Sequence, residues 1–366
     1  MNLSVFGIGK LGLCFSLTLS KSGYRVCGLD VNEDYVASLN NKSFKSSEAG
    51  VTEALLESFN FRATTDLDYA LNFADTLFVI VATPSLPNGR YDHSQVDALV
   101  DSLVERGAVE HTKNFVVCCT VMPGYCDKIK KKLNPLNYVV SYNPEFIAQG
   151  TILRDQAEPD MVLIGEGNER AGNILENIYN RHTSNKPRIC RMSPLEAEIT
   201  KLSLNCFLTT KIAYANMIGD IVTAVGGDPK TVLNAIGQDS RIGNKYLGYG
   251  YGYGGPCFPR DNRALAIFAK DNDVEALISL ASDQSNADHL VFQIKNFLLT
   301  HDLEEEVEFD FVTYKKESTL LTESQQLAFA VGIARGGCKV KIKERKEVIE
   351  ELKKRYDDLF TYEERK

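Results

Sequence analysis

The chain opens with a glycine-rich turn between a strand and a helix, and this arrangement restricts the fold more than any other feature. Residues 2–6 form a short apolar run, the motif GIGKLG occupies 7–12, and helical apolar spacing follows over 11–22. A second strand-like run, 24–29, leads to Asp30. This order of strand, glycine turn and helix predicts the first unit of a parallel α/β sheet.

The residue types in the turn are those that bind a dinucleotide. Gly7 permits the tight turn, Gly9 lets the backbone approach a pyrophosphate, and Gly12 allows the helix to pack closely. The N-terminus of the helix attracts the phosphates. Asp30 would accept hydrogen bonds from the ribose diol and repel a 2′-phosphate, which favours NAD over NADP. The alternative is a glycine turn in another kind of α/β protein.

Strand-like runs continue to alternate with helix-like segments as far as about residue 190. The further runs are 76–82, 114–119, 138–140 and 161–164. This alternation predicts a parallel sheet with helical crossovers. Thr83 and Pro84 follow one run and Thr120 follows another, at the carboxyl ends of strands where such sheets bind ligands.

The pattern changes after residue 193. The segment 194–225 has no helix breaker before Gly219, which predicts a helix of about 30 residues and about 45 Å. A helix of that length suits a link between domains that also offers a dimer surface. The tail alternates again, with strands expected at 309–314 and 339–342 and helices at 323–335 and 344–357.

These segments predict an α/β chain in three parts. The first is an NAD-binding, Rossmann-like domain with a parallel sheet over 1–192. The second is a central helical and dimerisation domain with a long helix over 193–300. The third is a shortened α/β domain over 301–366, where the resemblance described below implies nucleotide-sugar binding.

Composition excludes several classes of protein. The net charge of −8 argues against a partner such as nucleic acid or an anionic membrane. There is no run of about 18 apolar residues and no signal-like N-terminus, so we expect a cytoplasmic protein. The nine cysteines include no C-x-x-C pair, and no His/Cys cluster has zinc-ligand spacing. We therefore expect reduced thiols and no metal site.

Four local features suggest chemistry, and each has a simpler explanation. Glu145, in the run NPEF after a strand, could satisfy a helix N-terminus. Lys201 and Asn205 lie one turn apart on the long helix and could form a solvated stripe. Cys257 lies in GYGGPCFPRD, where a reactive thiolate is plausible, although most cysteines without a disulfide are buried. Arg241 is by default a surface charge.

Taken together, these motifs resemble those of the UDP-glucose/GDP-mannose dehydrogenases, and most closely the UDP-glucose 6-dehydrogenases. The similar segments are GIGKLG, VATP, CTVMPG, YNPEFIAQGT, EAEITKLSLNCF, DSRIG and GYGGPCFPRD. The resemblance covers about residues 1–300 well and the tail poorly. The Gly-rich segment that contains a Cys and an Asp is its most specific part.

The resemblance implies oxidation of a sugar hydroxymethyl group to a carboxylate with two NAD+ and one water. Cys257 would form a thiohemiacetal and then a thioester, and Glu145 would act as the base for hydrolysis. Lys201 would stabilise the oxyanion, and Arg241 would reach the diphosphate from a partner subunit. A homodimer that binds UDP-glucose is therefore expected.

The resemblance assigns the following site residues. The implied catalytic residues are Cys257, Glu145, Lys201, Asn205, Asp261 and Thr120. The implied cofactor-binding residues are Gly7, Gly9, Lys10, Leu11, Gly12, Asp30, Thr83, Pro84, Thr120, Gln149 and Arg260. The implied substrate-binding residues are Glu145, Phe146, Ile147, Lys201, Asn205, Arg241, Tyr246, Tyr249, Tyr253, Gly254 and Lys316.

Some departures from the family pattern leave other functions open. Gln149 stands where the family often has a second Glu, and Thr322 stands where it usually has an Arg. Pro256 replaces the His of the N-acetylhexosamine branch and argues against that substrate, whereas GDP-mannose remains an alternative. A two-electron hydroxyacid dehydrogenase would need no Cys257. The shortened tail also allows a non-catalytic nucleotide-sugar sensor.

Overall fold

The computed structural model describes residues 1–147, 150–316 and 318–365. The chain divides into two compact units, Met1–Lys201 and Leu202–Lys366. The division into three domains remains a prediction.

The first unit is built from alternating strands and helices. Its strands are β1 (Asn2–Phe6), β2 (Arg25–Leu29), β3 (Phe61–Thr64), β4 (Thr76–Val79), β5 (Lys113–Val117), β6 (Tyr138–Tyr142), β7 (Met161–Gly165) and β8 (Arg188–Met192). Its helices are α1 (Lys10–Lys21), α2 (Glu33–Asn40), α3 (Val51–Glu57), α4 (Leu67–Phe73), α5 (Ser94–Arg106), α6 (Tyr125–Leu133), α7 (Ile152–Ala157) and α8 (Glu169–His182). The helix α9 (Pro194–Ala224) begins in this unit and continues into the second.

Within the described residues, the eight strands form one sheet in the order β3-β2-β1-β4-β5-β6-β7-β8. The first six strands in this order are parallel, as the alternating pattern predicts. The strand β7 runs antiparallel to β6 and pairs with it through Tyr142 and Gly165, while β7 and β8 are parallel to each other. The order reverses between β1 and β4, which is where such sheets bind ligands.

Both faces of the sheet are buried, which explains the nearly continuous apolar strands. Neighbouring residues of one strand point to opposite faces. Phe78 and Val116 therefore belong to one core, while Leu77, Phe115 and Val117 belong to the other. Every position of β4 and β5 is buried, and their polar residues, Thr76, Lys113 and Asn114, lie at the strand starts.

Three strands are absent from the sequence prediction. They are β3, β8 and β11 (Thr361–Glu364), and each lies at the edge of a sheet. Most of their residues are half-buried or exposed, as in the run TYEE of β11. A strand that buries so little of its surface needs few apolar residues, so its sequence pattern is weak.

The second unit contains the rest of α9, further helices and a small sheet. Its other elements are α10 (Pro229–Gln238), α11 (Phe258–Asp271), α12 (Leu277–Thr300), β9 (Val307–Phe309), α13 (Gln325–Arg335), β10 (Val340–Glu344), α14 (Lys346–Tyr356) and β11. The small sheet is parallel, with β10 between β9 and β11. Its core packs Leu327 and Ile333 of α13 and Leu352 of α14 against Phe309 and Ile342.

The strand predicted at 309–314 instead lies at Val307–Phe309. The backbone amides of Val312 and Thr313 donate to the buried carboxylate of Glu344, at 3.2 and 3.4 Å. These donors are therefore satisfied by a side chain, and the segment does not continue the strand. Among the described residues, no helix is both long and apolar enough to cross a membrane.

Gly12 and Gly9 offer a matched test of packing in the first turn. A Cβ at Gly12 would lie 2.0 Å from the carbonyl oxygen of Gly7, whereas a Cβ at Gly9 has no atom within 4 Å. We expect Gly12→Ala to lower the free energy of unfolding by about 1–3 kcal/mol, as overpacking does. Gly9→Ala should change it by less than about 1 kcal/mol. Urea denaturation measures both, and equal losses would contradict the packing argument.

Candidate active site

The glycine turn forms an open cradle at the start of α1. Gly7 has φ of +85°, and a Cβ there would lie 2.6 Å from the carbonyl oxygen of Ile80. Gly9 is the N-cap and has no side chain to bind the first amides of the helix. Lys10 begins the helix, and Leu11 follows in its first turn. The backbone N–H groups are therefore oriented toward a space that suits an anion such as a pyrophosphate.

Asp30 lies directly after β2, and β2 pairs with β1, the strand that leads into the glycine turn. Its carboxylate accepts the amide of Asn32 at 3.1 Å, which fixes the start of the following loop. The hydroxyl of Tyr35 donates to the carbonyl of Ile8 at 2.8 Å and joins this loop to the turn. Asp30 and the glycine cradle are thus parts of one local structure, and their residue types fit a dinucleotide.

The structure also brings together the predicted residues after β4 and β5. The hydroxyl of Thr83 donates to the carbonyl of Thr120 at 2.7 Å, and the Thr83 side chain is buried. The carbonyl of Pro84 accepts the amide of Asp92 at 2.8 Å. The first contact joins the loops after β4 and β5 at the carboxyl edge of the parallel strands, and the second lies within the loop between β4 and α5. Gln149 lies outside the described residues.

Glu145 is a half-buried residue whose carboxyl group lies in the protein interior. It follows β6 in a segment without regular structure, and α7 begins only at Ile152, so Glu145 does not satisfy a helix N-terminus. Its Oε1 is buried, and among the described residues it has no hydrogen-bond partner. Burial raises the pKa of Glu145 to about 7, although the Lys201 charge and the neighbouring Tyr179 hydroxyl act in the opposite direction. A carboxyl group with that pKa can exchange a proton near neutral pH.

Two buried polar residues support the segment that carries Glu145. The hydroxyl of Tyr179, on α8, donates to Oδ1 of Asn143 at 2.6 Å. The Asn143 amide donates to the carbonyl of Leu163 at 2.9 Å, which links the segment to β7. Tyr179 was not identified from the sequence, because a tyrosine in an amphipathic helix gives no signal beyond core packing.

Lys201 is buried, which contradicts the solvated stripe considered as an alternative. Its Nζ donates to the backbone carbonyl of Glu145 at 2.6 Å. The same ammonium lies 4.2 Å from the centre of the Phe146 ring, within the range of a cation–π interaction. Ile147 packs against the core on one face of the sheet. Lys201 therefore supplies positive charge to the segment that carries Glu145.

Glu198 is a further buried acid on α9, and sequence analysis did not identify it. Its two carboxyl oxygens accept the amides of Gly124 and Cys126, at 2.6 and 2.8 Å, at the N-terminus of α6. Burial raises the pKa of Glu198 to about 7 despite these hydrogen bonds. Glu198 lies one helical turn before Lys201, so its contact with α6 fixes the part of α9 that carries the lysine.

The second unit places Cys257 at the N-terminus of α11, where it is the N-cap residue. The side chain is exposed, which contradicts the alternative of a buried structural cysteine. One turn later, the buried carboxylate of Asp261 accepts the amide of Asn205 at 2.6 Å. Nε of Arg260 donates to the same carboxylate at 3.2 Å. A helix N-terminus stabilises a thiolate, so this position favours nucleophilic chemistry.

The loop before Cys257 requires glycine because other groups lie very close to its backbone. A Cβ at Gly254 would lie 2.1 Å from the carbonyl oxygen of Glu323. Gly255 has φ of +77°, and a Cβ there would lie 2.5 Å from the Tyr314 ring. Tyr253 is buried and hydrogen-bonds to Asp283. The tail thus packs directly against the cysteine loop.

Three other predicted residues lie outside these clusters. Arg241 is exposed and pairs with Asp239 at 2.6 Å, which is the surface charge considered as its alternative. Tyr246 is exposed, and its ring meets that of Phe258 edge-on with centres 6.3 Å apart. Lys316 is also exposed, and its carbonyl accepts a hydrogen bond from Arg345. Their predicted contacts with substrate remain predictions.

Comparison with known proteins identifies the family to which the chain belongs. Two family models match the chain. One describes the NAD binding domain of the UDP-glucose/GDP-mannose dehydrogenase family, over residues 1–183, and the other its central domain, over residues 195–288. The chain belongs to the UDP-glucose/GDP-mannose dehydrogenase family. The eight-stranded sheet and the glycine turn therefore belong to the NAD-binding domain of this family. The central domain begins near the start of α9.

Members with different substrates resemble this chain to a similar degree. A UDP-glucose 6-dehydrogenase of Haloferax volcanii is 33% identical over 300 residues, which cover 78% of this chain and 69% of the relative. A GDP-mannose 6-dehydrogenase of Pseudomonas aeruginosa is 32% identical over 321 residues, or 82% of this chain and 72% of the relative. These relatives therefore support nucleotide-sugar 6-dehydrogenase activity but do not distinguish between the sugar nucleotides.

A solved structure extends the similarity to the whole fold. The UDP-glucose dehydrogenase of Pyrobaculum islandicum matches with a TM-score of 0.86 and 29% identity. The match covers all of this chain and 86% of that one. The prediction of an α/β fold with a Rossmann-type sheet, a long helix and a smaller C-terminal part is confirmed.

The burial of Glu145 makes a specific prediction for stability. Its pKa is about 7 in the fold against an ordinary value of 4.5, so the folded state binds the proton more tightly. Below pH 4.5 the carboxyl group therefore does not lower the free energy of unfolding. As the pH rises from 4.5 through 7, it lowers that free energy progressively. We expect Glu145→Gln to be more stable than wild type at pH 8, by on the order of 3 kcal/mol.

Urea denaturation at pH 5, 6 and 8 measures this difference, which should shrink toward pH 5. Glu57→Gln, at an exposed position of α3, is the matched control and should show no such trend. A constant difference between wild type and Glu145→Gln at all three pH values would contradict the prediction.

Proposed function

We propose that this family member oxidises UDP-glucose to UDP-glucuronate in two NAD-dependent steps. The observation that carries the proposal is the exposed Cys257 at the N-terminus of α11, directly after a glycine-rich loop. A two-electron dehydrogenase needs no nucleophile there, whereas oxidation to a carboxylate needs a group that holds the aldehyde carbon. This difference disfavours the hydroxyacid dehydrogenase.

The first unit supplies the dinucleotide site in this proposal. Gly9 leaves open space at the start of α1, and the amides of Lys10 and Leu11 would bind the pyrophosphate. Asp30 would bind the ribose diol and disfavour a 2′-phosphate, which selects NAD. Thr83 and Thr120 would border the same site. The site would bind two NAD+ molecules in succession, and each would supply the hydride acceptor for one oxidation.

In the second unit, Cys257 would act as the nucleophile. Loss of a hydride and a proton from the sugar's hydroxymethyl group gives an aldehyde. The Cys257 thiolate then adds to the aldehyde carbon and forms a thiohemiacetal, and loss of a second hydride and a proton leaves a thioester. Asp261 and Asn205 would hold the sugar oxygens and the water, since their side chains already form a buried hydrogen-bonded pair.

Glu145 and Lys201 would complete the reaction. Glu145 has a pKa of about 7, so above that pH its carboxylate can take a proton from the attacking water. Water adds to the thioester carbon, and the C–S bond breaks to release the carboxylate and the Cys257 thiolate. Lys201 would stabilise the oxyanion that forms in this step. The side chain of Phe146 keeps the lysine in place.

The choice of sugar rests on the loop that precedes Cys257. Its tyrosine-rich sequence, GYGYGYGG, looks more like the UDP-glucose branch than the GDP-mannose branch. Tyr249, Tyr253 and Gly254 would border the sugar and diphosphate. GDP-mannose is the second candidate, because its dehydrogenases resemble this chain equally well. A non-catalytic sensor is disfavoured because every proposed catalytic residue is present.

A homodimer remains part of this proposal. In the second unit, α9 leaves large apolar side chains exposed along its length, as expected for a helix that packs against a second copy. They are Phe207, Tyr214, Met217 and Ile221. Arg241, whose side chain is 86% exposed, would then be available to a partner's substrate.

The stoichiometry of NADH tests the reaction and the role of Cys257 together. Wild type should give two NADH and one uronate for each UDP-glucose consumed. Cys257→Ala should form no uronate, because the thioester cannot form. Cys190→Ala, at a partly exposed cysteine of β8, is the control and should retain the wild-type stoichiometry. Uronate from Cys257→Ala at the wild-type rate would remove the cysteine from the mechanism.

Substitution of Asp30 tests the dinucleotide site without the sugar. Asp30→Ala removes a charged hydrogen-bond acceptor of the kind that contributes about 1.5–3 kcal/mol. We therefore expect the Kd for NAD to rise by about 10- to 100-fold. Calorimetric titration measures this change, with Asp34→Ala in α2 as the control. An unchanged Kd for NAD in Asp30→Ala would mean that the ribose contact is misassigned.

A further inference from the structure

The described segment before Cys257 contains no helix or strand that would hold it in one conformation. Between α10 and α11 the chain has no regular structure, and residues 248–254 alternate glycine with tyrosine before Gly255. We call residues 247–255 the glycine–tyrosine loop. Glycine loses more conformational entropy on ordering than other residues, so contacts from outside must hold this loop in one conformation. Side chains of α9 and α12 supply them.

Two buried asparagines bind the loop backbone much as a neighbouring strand would. Asn216, on α9, accepts the amide of Gly250 at 3.1 Å and donates to the carbonyl of Tyr251 at 3.4 Å. Asn286, on α12, accepts the amide of Tyr253 at 2.9 Å and donates to its carbonyl at 3.0 Å. Each side chain thus satisfies one donor and one acceptor of the loop.

His289, one turn after Asn286 on α12, makes the third contact and is buried. Its Nε2 lies 2.7 Å from the carbonyl oxygen of Gly250, and its Nδ1 lies 2.8 Å from Oδ2 of Asp220. A carbonyl oxygen can only accept, so Nε2 must carry a proton. Tyr249 also donates to Asp220, at 2.9 Å, as expected for an ionised carboxylate. If Asp220 is ionised, Nδ1 carries a proton as well, because a carboxylate can only accept.

The groups that face the imidazole are consistent with this protonation. Asp220 approaches it from α9, and the Tyr249 ring meets it edge-on with centres 5.6 Å apart. Burial raises the pKa of Tyr249 to about 12, so its hydroxyl stays protonated and donates. Gln293, one turn further along α12, also donates to the carbonyl of Gly250, at 3.0 Å.

We propose that His289 is held as an imidazolium by Asp220 and positions the glycine–tyrosine loop for the chemistry of Cys257. Its Nε2–H fixes the carbonyl of Gly250, seven residues before the nucleophile. His289 is therefore a positioning residue, and it acts through the loop. This role rests on the proposed function, but the charge of the ring and the order of the loop do not.

Nitrogen NMR tests the charge directly. The chain has five histidines, so protein labelled with ¹⁵N-histidine gives few imidazole signals, and His289→Gln identifies the one that disappears. At pH 7.5 we expect both ring nitrogens of His289 to be protonated. Asp220→Asn should give a neutral ring at that pH. A neutral His289 in wild type, or a charged one in Asp220→Asn, would overturn the proposal.

Hydrogen exchange and kinetics test the positioning role. In His289→Gln we expect faster amide exchange over 247–257, a kcat for uronate formation lower by about tenfold or more, and an unchanged Kd for NAD. His111→Gln, at an exposed position of the first unit, is the control and should match wild type. If His289→Gln also matches wild type in exchange and kcat, the role is wrong.

Two safeguards keep the outcomes distinct. If His289→Gln does not fold, Asp220→Asn takes its place, because it keeps the shape of the carboxylate while removing its charge. The same local increase in exchange and fall in kcat are then expected, and wild-type values would overturn the role. If wild type forms no uronate, the proposed function fails, while NMR and exchange still decide the state of His289 and the loop.

Discussion

Hydrogen bonds from buried polar side chains of α9 are the interactions on which the candidate site depends. Glu198 binds the start of α6, and Lys201 binds the backbone of Glu145. Further along the helix, Asn205 binds Asp261 and Asn216 binds the glycine–tyrosine loop. Loops and helix ends that carry the proposed chemistry therefore depend on partners from one 31-residue helix.

Because these contacts are buried, few other side chains can replace the residues that make them. An unpaired polar group inside a protein costs more free energy than a hydrogen bond contributes. Asn205 donates to the buried carboxylate of Asp261, so replacing either residue removes a buried hydrogen bond. Glu145 differs, since one of its oxygens lacks a partner among the described residues. Its carboxyl group is thereby kept near the point of proton exchange, at a cost in stability that the rest of the fold must offset.

Much of the fold was predictable because its signals are local. The strand before the glycine turn, the helix after it and the uninterrupted α9 each follow from the spacing of apolar residues and breakers. The edge strands β3, β8 and β11 were missed because they bury few side chains. The first strand of the tail was predicted at 309–314 but lies at Val307–Phe309. Glu344, which is distant in sequence, binds the amides of Val312 and Thr313, so β9 does not continue.

The sequence by itself determined the glycine cradle, the acid after β2 and the cysteine loop, because each depends on residues that are close together along the chain. Only the tertiary structure decided the environment of these groups. The pKa of Glu145 depends on burial by distant segments. The contacts of the glycine–tyrosine loop come from Asn216, Asp220 and His289, which lie 29 or more residues from their partners in the loop. Dielectric environment and hydrogen-bond partners are properties of packing, which local sequence patterns do not encode.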